Sequence, residues 1–375
     1  MDNCRVVVFA CIVFFWPLSQ NAQELPQIIH SQPKQEGASG QAWGITQDNN
    51  GVMWFARNSG LYAWDSAETQ RYPLPDGQIV RCVAIDKKNR IYVGGYGAFG
   101  YWDVTPKGGL RYHALSQSTE LQSIGTEEIW HIITLPQGVV FQSFSKIFYY
   151  DYQTVTEITP PGVILFGIRF GEDVLFPVLD KGIYRWSPRM DFDILPQTEQ
   201  LAGQRIAGMV PMGEGWLVAT EQSGIWYYEK GNLRQWQNDI AVGIQINKLS
   251  LMKNGMLAVG TIQEGVYLLN HEGTTVYHLN QKTGLANNTI LSLFEDRQGN
   301  LWVGLDKGID LVVLSSPLLF FSRKENSLGT VYTGAFYDET LYVGTNQGLF
   351  TARRKEEKHH SIWYLAAKGR YGRWM

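Results

Sequence analysis

One phrase recurs along this chain, and it constrains the fold more than any other feature. An apolar strand, a turn, a second apolar strand and a polar gap are followed by Gly, an apolar residue and usually an aromatic one. The anchors are Gly60-Leu61-Tyr62, Gly100-Tyr101-Trp102, Gly182-Ile183-Tyr184, Gly224-Ile225-Trp226, Gly265-Val266-Tyr267, Gly308-Ile309-Asp310 and Gly348-Leu349-Phe350, with Lys146-Ile147-Phe148 as the copy in which Lys replaces Gly. Successive anchors lie 40, 46, 36, 42, 41, 43 and 40 residues apart. The strand before each anchor repeats as well, as in VMWFA (52–56), RIYVG (90–94), WLVAT (216–220), LAVGT (257–261), LWVGL (301–305) and LYVGT (341–345). Ahead of these stand AWGITQD (42–48), VRCVAID (80–86) and ILSLFED (290–296), and a fourth element such as RYPL (71–74) or VYHL (276–279) follows most anchors.

Four short strands per forty-residue period predict an all-β chain built as a β-propeller, one repeat to a blade. Continuous apolar strands suit sheets that are covered on both faces by neighbouring blades. Apolar residues at helical spacing are nearly absent, which argues against alternating strands and helices. Trp54, Tyr92, Trp216 and Trp302 occupy one slot, where a large ring can fill the gap between two sheets. Asp296-Arg297-Gln298-Gly299-Asn300 reads as a hairpin turn, with Asp bonding its own backbone and Gly supplying positive φ. A single blade cannot bury both its faces, so the array must close or stack.

Seven complete copies run from Ala42 to about Arg323, and an eighth begins at Val331. The expected organisation is a leader at 1–22, a propeller over 25–325, an incomplete further blade at 326–354 and an irregular tail at 355–375. Two closures follow. In the favoured one, seven blades close and the eighth copy opens a second propeller. In the other, eight blades close, with Gln27-Ile28-Ile29-His30 lending the last blade its fourth strand.

Charge and composition narrow the partners. A net charge of −3 gives no electrostatic basis for binding nucleic acid or an anionic membrane. At the N-terminus Arg5 precedes an apolar run from Val6 to Leu18, and small or polar residues follow to Ala22: the plan of a secretory signal peptide. Cleavage near Ala22–Gln23 would remove Cys4 and Cys11 and leave Cys82 alone, so no disulfide is expected. With the leader gone no membrane span is expected either, which points to the periplasm or the exterior.

The stretch LFEDRQGNLWVGLDKGIDL (293–311) resembles the repeat of the two-component-regulator propeller. Together with LPQIIH (25–30), WGITQDNNGVMWFARNSGLYAWD (43–65) and IVRCVAIDKKNRIYVGGYGAFGYW (79–102), it is similar to the extracytoplasmic sensors of Bacteroidetes regulators. The closest likeness is to those in which two propellers precede a triple-tyrosine β-sandwich, a membrane helix, a coiled coil and a LuxR-type helix-turn-helix. That resemblance covers roughly residues 25–350 and implies a sensor role in transcriptional regulation. This chain carries no such output domains, and its charged tail departs from the pattern, which implies a truncated sensor region.

Candidate chemistry is sparse. Glu295 and Asp296 form an acid pair, but Asp48, Asp86 and Asp338 recur in the Asp slot, which favours turns over catalysis. The histidines (His30, His113, His131, His271, His278, His359 and His360) show no metal-ligand spacing apart from the adjacent tail pair. No cofactor or metal is expected. A propeller binds at the mouth of its central channel, in the loops joining second and third strands. Those loops hold Arg57, Tyr96, Phe99, Phe144, Asp180, Gln222, Gln263 and Asp306, and they differ from copy to copy. Rings beside Arg, Asp and Gln suit a glycan or another small molecule. The expected function is therefore non-enzymatic ligand sensing, with homodimerisation or scaffolding as a further role. A propeller lyase is the competing class; it needs a His or Glu pair in the channel, for which His131 is the candidate.

Overall fold

The computed structural model describes residues 21–31, 40–74, 77–105, 109–117, 121, 123–316, 319–321, 329–357 and 360–367. Residues 1–20 of the expected leader lie outside the described residues, as does His359 of the tail pair. The fold is all-β. Six antiparallel sheets of four strands each occupy residues 42–72, 82–114, 131–158, 168–194, 206–235 and 246–279, one to each repeat. We number them blades 1 to 6.

The seventh blade is assembled from both ends of a compact unit that spans Leu25–Phe320. Ile290–Glu295, Leu301–Leu305 and Ile309–Val313 supply its first three strands. Its fourth comes from the N-terminal segment, with Gln27 opposite Val313 and Ser31 opposite Ile309. The Gln27–His30 segment thus does lend a fourth strand, but to the seventh copy and not to an eighth. A shared sheet fastens the ring, because opening it would break one continuous ladder of backbone hydrogen bonds. His30 Nδ1 lies 2.7 Å from Asp310 Oδ1, and Asp310 Oδ2 accepts from the Ala286 backbone at 2.8 Å. Blade 7 then meets blade 1 across a core of Ala42, Ile45, Met53, Phe55, Tyr62, Trp302 and Ile309.

The repeated phrase acquires a physical explanation at its turn. Asp296 Oδ1 accepts from the Asn300 backbone at 2.9 Å, while Oδ2 accepts from the Trp302 indole at 3.0 Å. Asp48 holds the Val52 backbone and Trp54 in the same way, and Asp86 holds the Arg90 backbone and the Tyr92 hydroxyl. One carboxylate therefore closes the hairpin and fixes the ring that fills the gap between blades. Gly299, at φ +83°, supplies the left-handed residue of that turn. Glu295 reaches sideways instead, its Oε2 accepting from the Lys253 backbone of blade 6 at 2.8 Å. The acid pair is structural.

Blades also need a small residue where the next inner strand presses in. A Cβ on Gly94 would stand 2.6 Å from Ile129 Cγ2, and one on Gly260 would stand 2.6 Å from Ile290 Cγ2. Ala56 and Ala219 occupy the same register position in blades 1 and 5 and are fully buried.

Residues 21–24 and 321–367 belong to a second compact unit. Val331–Tyr337, Thr340–Thr345, Gly348–Glu357 and His360–Ala367 run as an antiparallel meander, and Asn21–Gln23 pair with Ile362–Tyr364. The stretch from 355, expected to be irregular because its charged run breaks the apolar pattern, is therefore strand over most of its described part. Backbone pairing does not depend on apolar side chains, so a charged segment can still complete a ladder. Among the described residues no helix is long and apolar enough to cross a membrane.

Candidate functional site

The loops joining second and third strands emerge on the end of the propeller where the chain enters the inner strands. The Gly97, Leu179, Ile262 and Asp306 amides donate to the Glu127, Val163, Gln245 and Thr289 carbonyls at 2.8 to 3.1 Å, tying each loop to that entering segment. This end is the channel mouth.

Every inner strand is entered through a buried aliphatic residue: Ala42, Val80, Ile129, Ile164, Ile206, Ile246 or Ile290. The residues that follow are Trp43, Arg81, Trp130, Leu165, Ala207, Asn247 and Leu291. In blades 1, 5, 6 and 7 the ladder skips this residue as a β-bulge. A bulged residue is released from the ladder and can be re-aimed, here away from the interface between blades. Blades 1, 2 and 3 place large groups at this slot, and they assemble.

The Arg81 guanidinium lies 4.4 Å from the centre of the Trp43 ring and 4.7 Å from that of Trp130. The two indoles meet edge to face at 5.8 Å. Arg81 Nε donates to Glu128 Oε1 at 2.6 Å, which orients the planar cation between the rings. Contacts of this kind contribute about 0.5–2 kcal/mol each, so the platform is ordered before any ligand arrives. On the other side of Trp43, its indole donates to Asn58 Oδ1 at 2.7 Å, Asn58 Nδ2 to Gln41 Oε1 at 3.1 Å, and Gln41 Nε2 to Asp306 Oδ1 at 2.6 Å.

The aromatic series continues inward. Trp130 lies 5.8 Å from Phe144, Phe144 lies 6.0 Å from Phe166, and Phe166 meets His131 edge to face at 5.7 Å. Lys248, from the inner strand of blade 6, places Nζ 4.0 Å from the centre of the Phe166 ring. Phe166 enters blade 4 and His131 begins blade 3, so Lys248 crosses the open space inside the ring to reach them. Burial pulls the Lys248 ammonium down to about 8. Burial, aided by the Lys248 charge and opposed by the Gly167 backbone, pushes the His131 imidazole down to about 4. At neutral pH the channel therefore holds a charged Lys248 beside a neutral His131.

The residues expected at the mouth separate into three groups. Phe144 joins the aromatic cluster, and Asp306 joins the hydrogen-bonded rim through Gln41. Tyr96, 56% exposed, together with the exposed Asp180, Gln222 and Gln263, stands on the rim loops outside the cluster. Phe99 and Arg57 are corrections. Phe99 is 0% exposed and packs against Phe141 and Phe148, with ring centres at 4.5 and 5.2 Å, because the third strand starts at Ala98, two residues before the Gly100 anchor, which puts Phe99 in the strand and not in the loop. Arg57 is 3% exposed, ends its strand, and donates from Nη2 to the Gly40 carbonyl at 3.2 Å. Trp43, Arg81, Trp130, Phe166 and Lys248 were not among the expected residues. Their signal was available: Trp43, Arg81 and Trp130 share the slot after the buried entry residue and Phe166 and Lys248 the slot after that, and both slots vary beside entry residues that stay aliphatic.

His131 does not meet the requirement of a lyase site. Its neighbours are Phe166 and the cationic Lys248, and none of its hydrogen bonds or ion pairs among the described residues involves a carboxylate. Among those residues no group of three His, Cys, Asp or Glu side chains is arranged to hold a metal ion.

The family model of the two component regulator propeller matches residues 284–307, on blade 7. The fold is shared with the extracellular domain of a proposed one component system from B. thetaiotaomicron, at 19% identity and a TM-score of 0.62, over 92% of this chain and 47% of that one. It is shared too with the extracellular domain of a proposed hybrid two component system from the same organism, at 15% identity and a TM-score of 0.68, over 90% of this chain and 48% of that one. The chain thus spans about half the length of those structures. A virginiamycin B lyase from Staphylococcus aureus has the same architecture at 13% identity and a TM-score of 0.59, over 77% of this chain and 99% of that one. No protein of curated function matches the chain significantly.

Proposed function

We propose that this chain is the ligand-sensing propeller of an extracytoplasmic signalling regulator and that it recognises a small molecule at the mouth of its central channel without transforming it. The observation that carries the reading is the Trp43–Arg81–Trp130 platform continued by Phe144 and Phe166. Five side chains from four blades converge at positions where the repeat itself demands no particular residue. Preformed ring faces bordered by a few oriented polar groups are the composition of a site for small molecules, sugars included. The repeat matched on blade 7 and the extracellular propellers that share the fold support a place in signal transduction outside the cytoplasm. A role in transcription would be exercised through output domains of the kind the resemblance implies.

Thermal-shift and tryptophan-fluorescence screens with mono- and disaccharides test the reading. A ligand should raise the melting temperature of the wild-type protein and lose at least tenfold in affinity on Trp43→Ala or Trp130→Ala. Binding that ignores both substitutions would refute it. The lyase reading would require turnover of a cyclic peptide lactone that disappears on His131→Ala. Association of two chains is a separate proposal, checked by light scattering with and without ligand.

A further inference from the structure

We infer that the channel selects small molecules carrying an anionic group beside a ring face, with Lys248 as the residue that recognises the anion. The inference rests on the ligand-sensing reading above and adds a substrate class to it.

The repeat provides the first observation. In blades 1, 5 and 7 the inner-strand residue in register with the small residue of the second strand is Gly44, Gly208 or Ser292. Blade 6 has Lys248 in that place, opposite Gly260. The same slot holds Cys82, His131 and Phe166 in blades 2, 3 and 4, so blade 6 is where it carries a lysine, whose four-carbon stem reaches Phe166 of blade 4. Neither the blade fold nor its hydrogen-bond ladder calls for that.

The second observation is the ammonium's company. Its ring contact is with Phe166, at 4.0 Å, and its titratable neighbour is the neutral His131. Among the described residues it forms no hydrogen bond or ion pair. A cation–π contact recovers only part of the hydration that an ammonium gives up on leaving bulk water. No carboxylate around the mouth forms an ion pair with Lys248 among the described residues, and three of them are held elsewhere. Glu128 is held by Arg81, Glu221 by Arg205 and Gln245, and Asp306 by Gln41. Arg81 is paired with Glu128 and Arg205 with Glu221, whereas Lys248 forms no ion pair among the described residues.

Geometry sets the rest of the ligand. Phe166 and Phe144 stand between Lys248 and the Trp130 face, so an anion at Nζ places the body of its molecule along aromatic surface. A single ammonium is a point charge that serves carboxylate and sulfate alike.

Titration of methyl β-D-glucuronide and of glucose 6-sulfate, with methyl β-D-glucoside as the neutral control, tests the inference. The full chain is observed by NMR through its tryptophan indole signals. At least one anion should shift the Trp130 signal with a Kd tenfold or more below that of the neutral glucoside, and the relative affinities of the two anions identify which group is preferred. Lys248→Met should abolish that difference, and Lys248→Arg should retain part of it. Unchanged indole dispersion and melting in both variants would show that the fold is intact. Equal affinity for charged and neutral glycosides, or a preference that survives Lys248→Met, would overturn the anion inference and leave the ligand-sensing reading standing. Indole signals unmoved by all three compounds would overturn both for sugars.

Discussion

Replacing Asp296 by Ala removes the acceptor for three buried donors, the backbone N–H and side-chain amide of Asn300 and the Trp302 indole N–H. Asp296 is 5% exposed and Trp302 2%, so water cannot readily replace the carboxylate. An orphaned buried donor costs about 1–3 kcal/mol, and the two shorter bonds alone, to the Asn300 backbone and the Trp302 indole, give about 4 kcal/mol. At roughly 2–4 °C per kcal/mol for a large domain, Asp296→Ala should melt about 8 °C or more below the wild type. Asp296→Asn keeps an acceptor for one donor but turns an amide N–H toward the other, so it should fall between. Melting followed by far-ultraviolet circular dichroism and tryptophan fluorescence reads the effect. The near-equivalent bonds of Asp48 predict a comparable loss for Asp48→Ala. If Asp296→Ala melted within 2 °C of the wild type, the turn would not be what this carboxylate does, and the acid pair would need another role.

Further expectations concern closure, packing and the channel. Asp310→Ala removes the acceptor shared by His30 and the Ala286 backbone, so it should lower stability by about 2 kcal/mol and expose the N-terminal strand to proteolysis before the rest of the propeller. Gly260→Val places new atoms against Ile290 and should cost about 1–3 kcal/mol through overpacking, measurable by urea unfolding. The Cys82 thiol is buried and its pKa is raised by that burial, so it should resist iodoacetamide in the folded protein and react promptly in urea. Lys248 is held down at about 8, so the folded state binds fewer protons than the unfolded chain between pH 8 and the ordinary lysine value near 10.5. Stability should therefore gain an upward slope with pH across that window, absent in Lys248→Met. Affinity for an anionic ligand should be steady below about pH 8 and fall above it, since His131 is already neutral there.

Much of this architecture is legible in the amino-acid sequence, because a propeller repeats its demands. The strand lengths and the anchor recur in eight copies between Ala42 and Phe350, and blades 1, 2 and 7 share the turn carboxylate, the ring it holds and the small residue beyond it. Closure was harder to read. The strand that completes blade 7 lies at residues 27–31, more than 270 positions from its partner, and Ile28 and Ile29 look the same whichever sheet receives them. The proposed site was legible only in part. Variation at a fixed slot was sought in the loops between second and third strands, where it named Phe144, which the structure places in the aromatic cluster. The larger side chains leave the start of the inner strand, where a bulge frees Trp43 from its ladder. Lys248 was passed over because a lysine amid apolar residues reads as a solvated edge until the blade opposite is known.

The most direct test of the account is to map, by backbone and indole NMR, which residues respond when the best ligand from the screens saturates the protein. The predicted response centres on Trp43, Arg81, Trp130, Phe166 and Lys248, with little change on the rim loops at Asp180 and Gln222. A response centred instead on the outer groove between blades 5 and 6, lined by Trp236, Asn238, Val242 and Thr274, would contradict it and move the site off the channel.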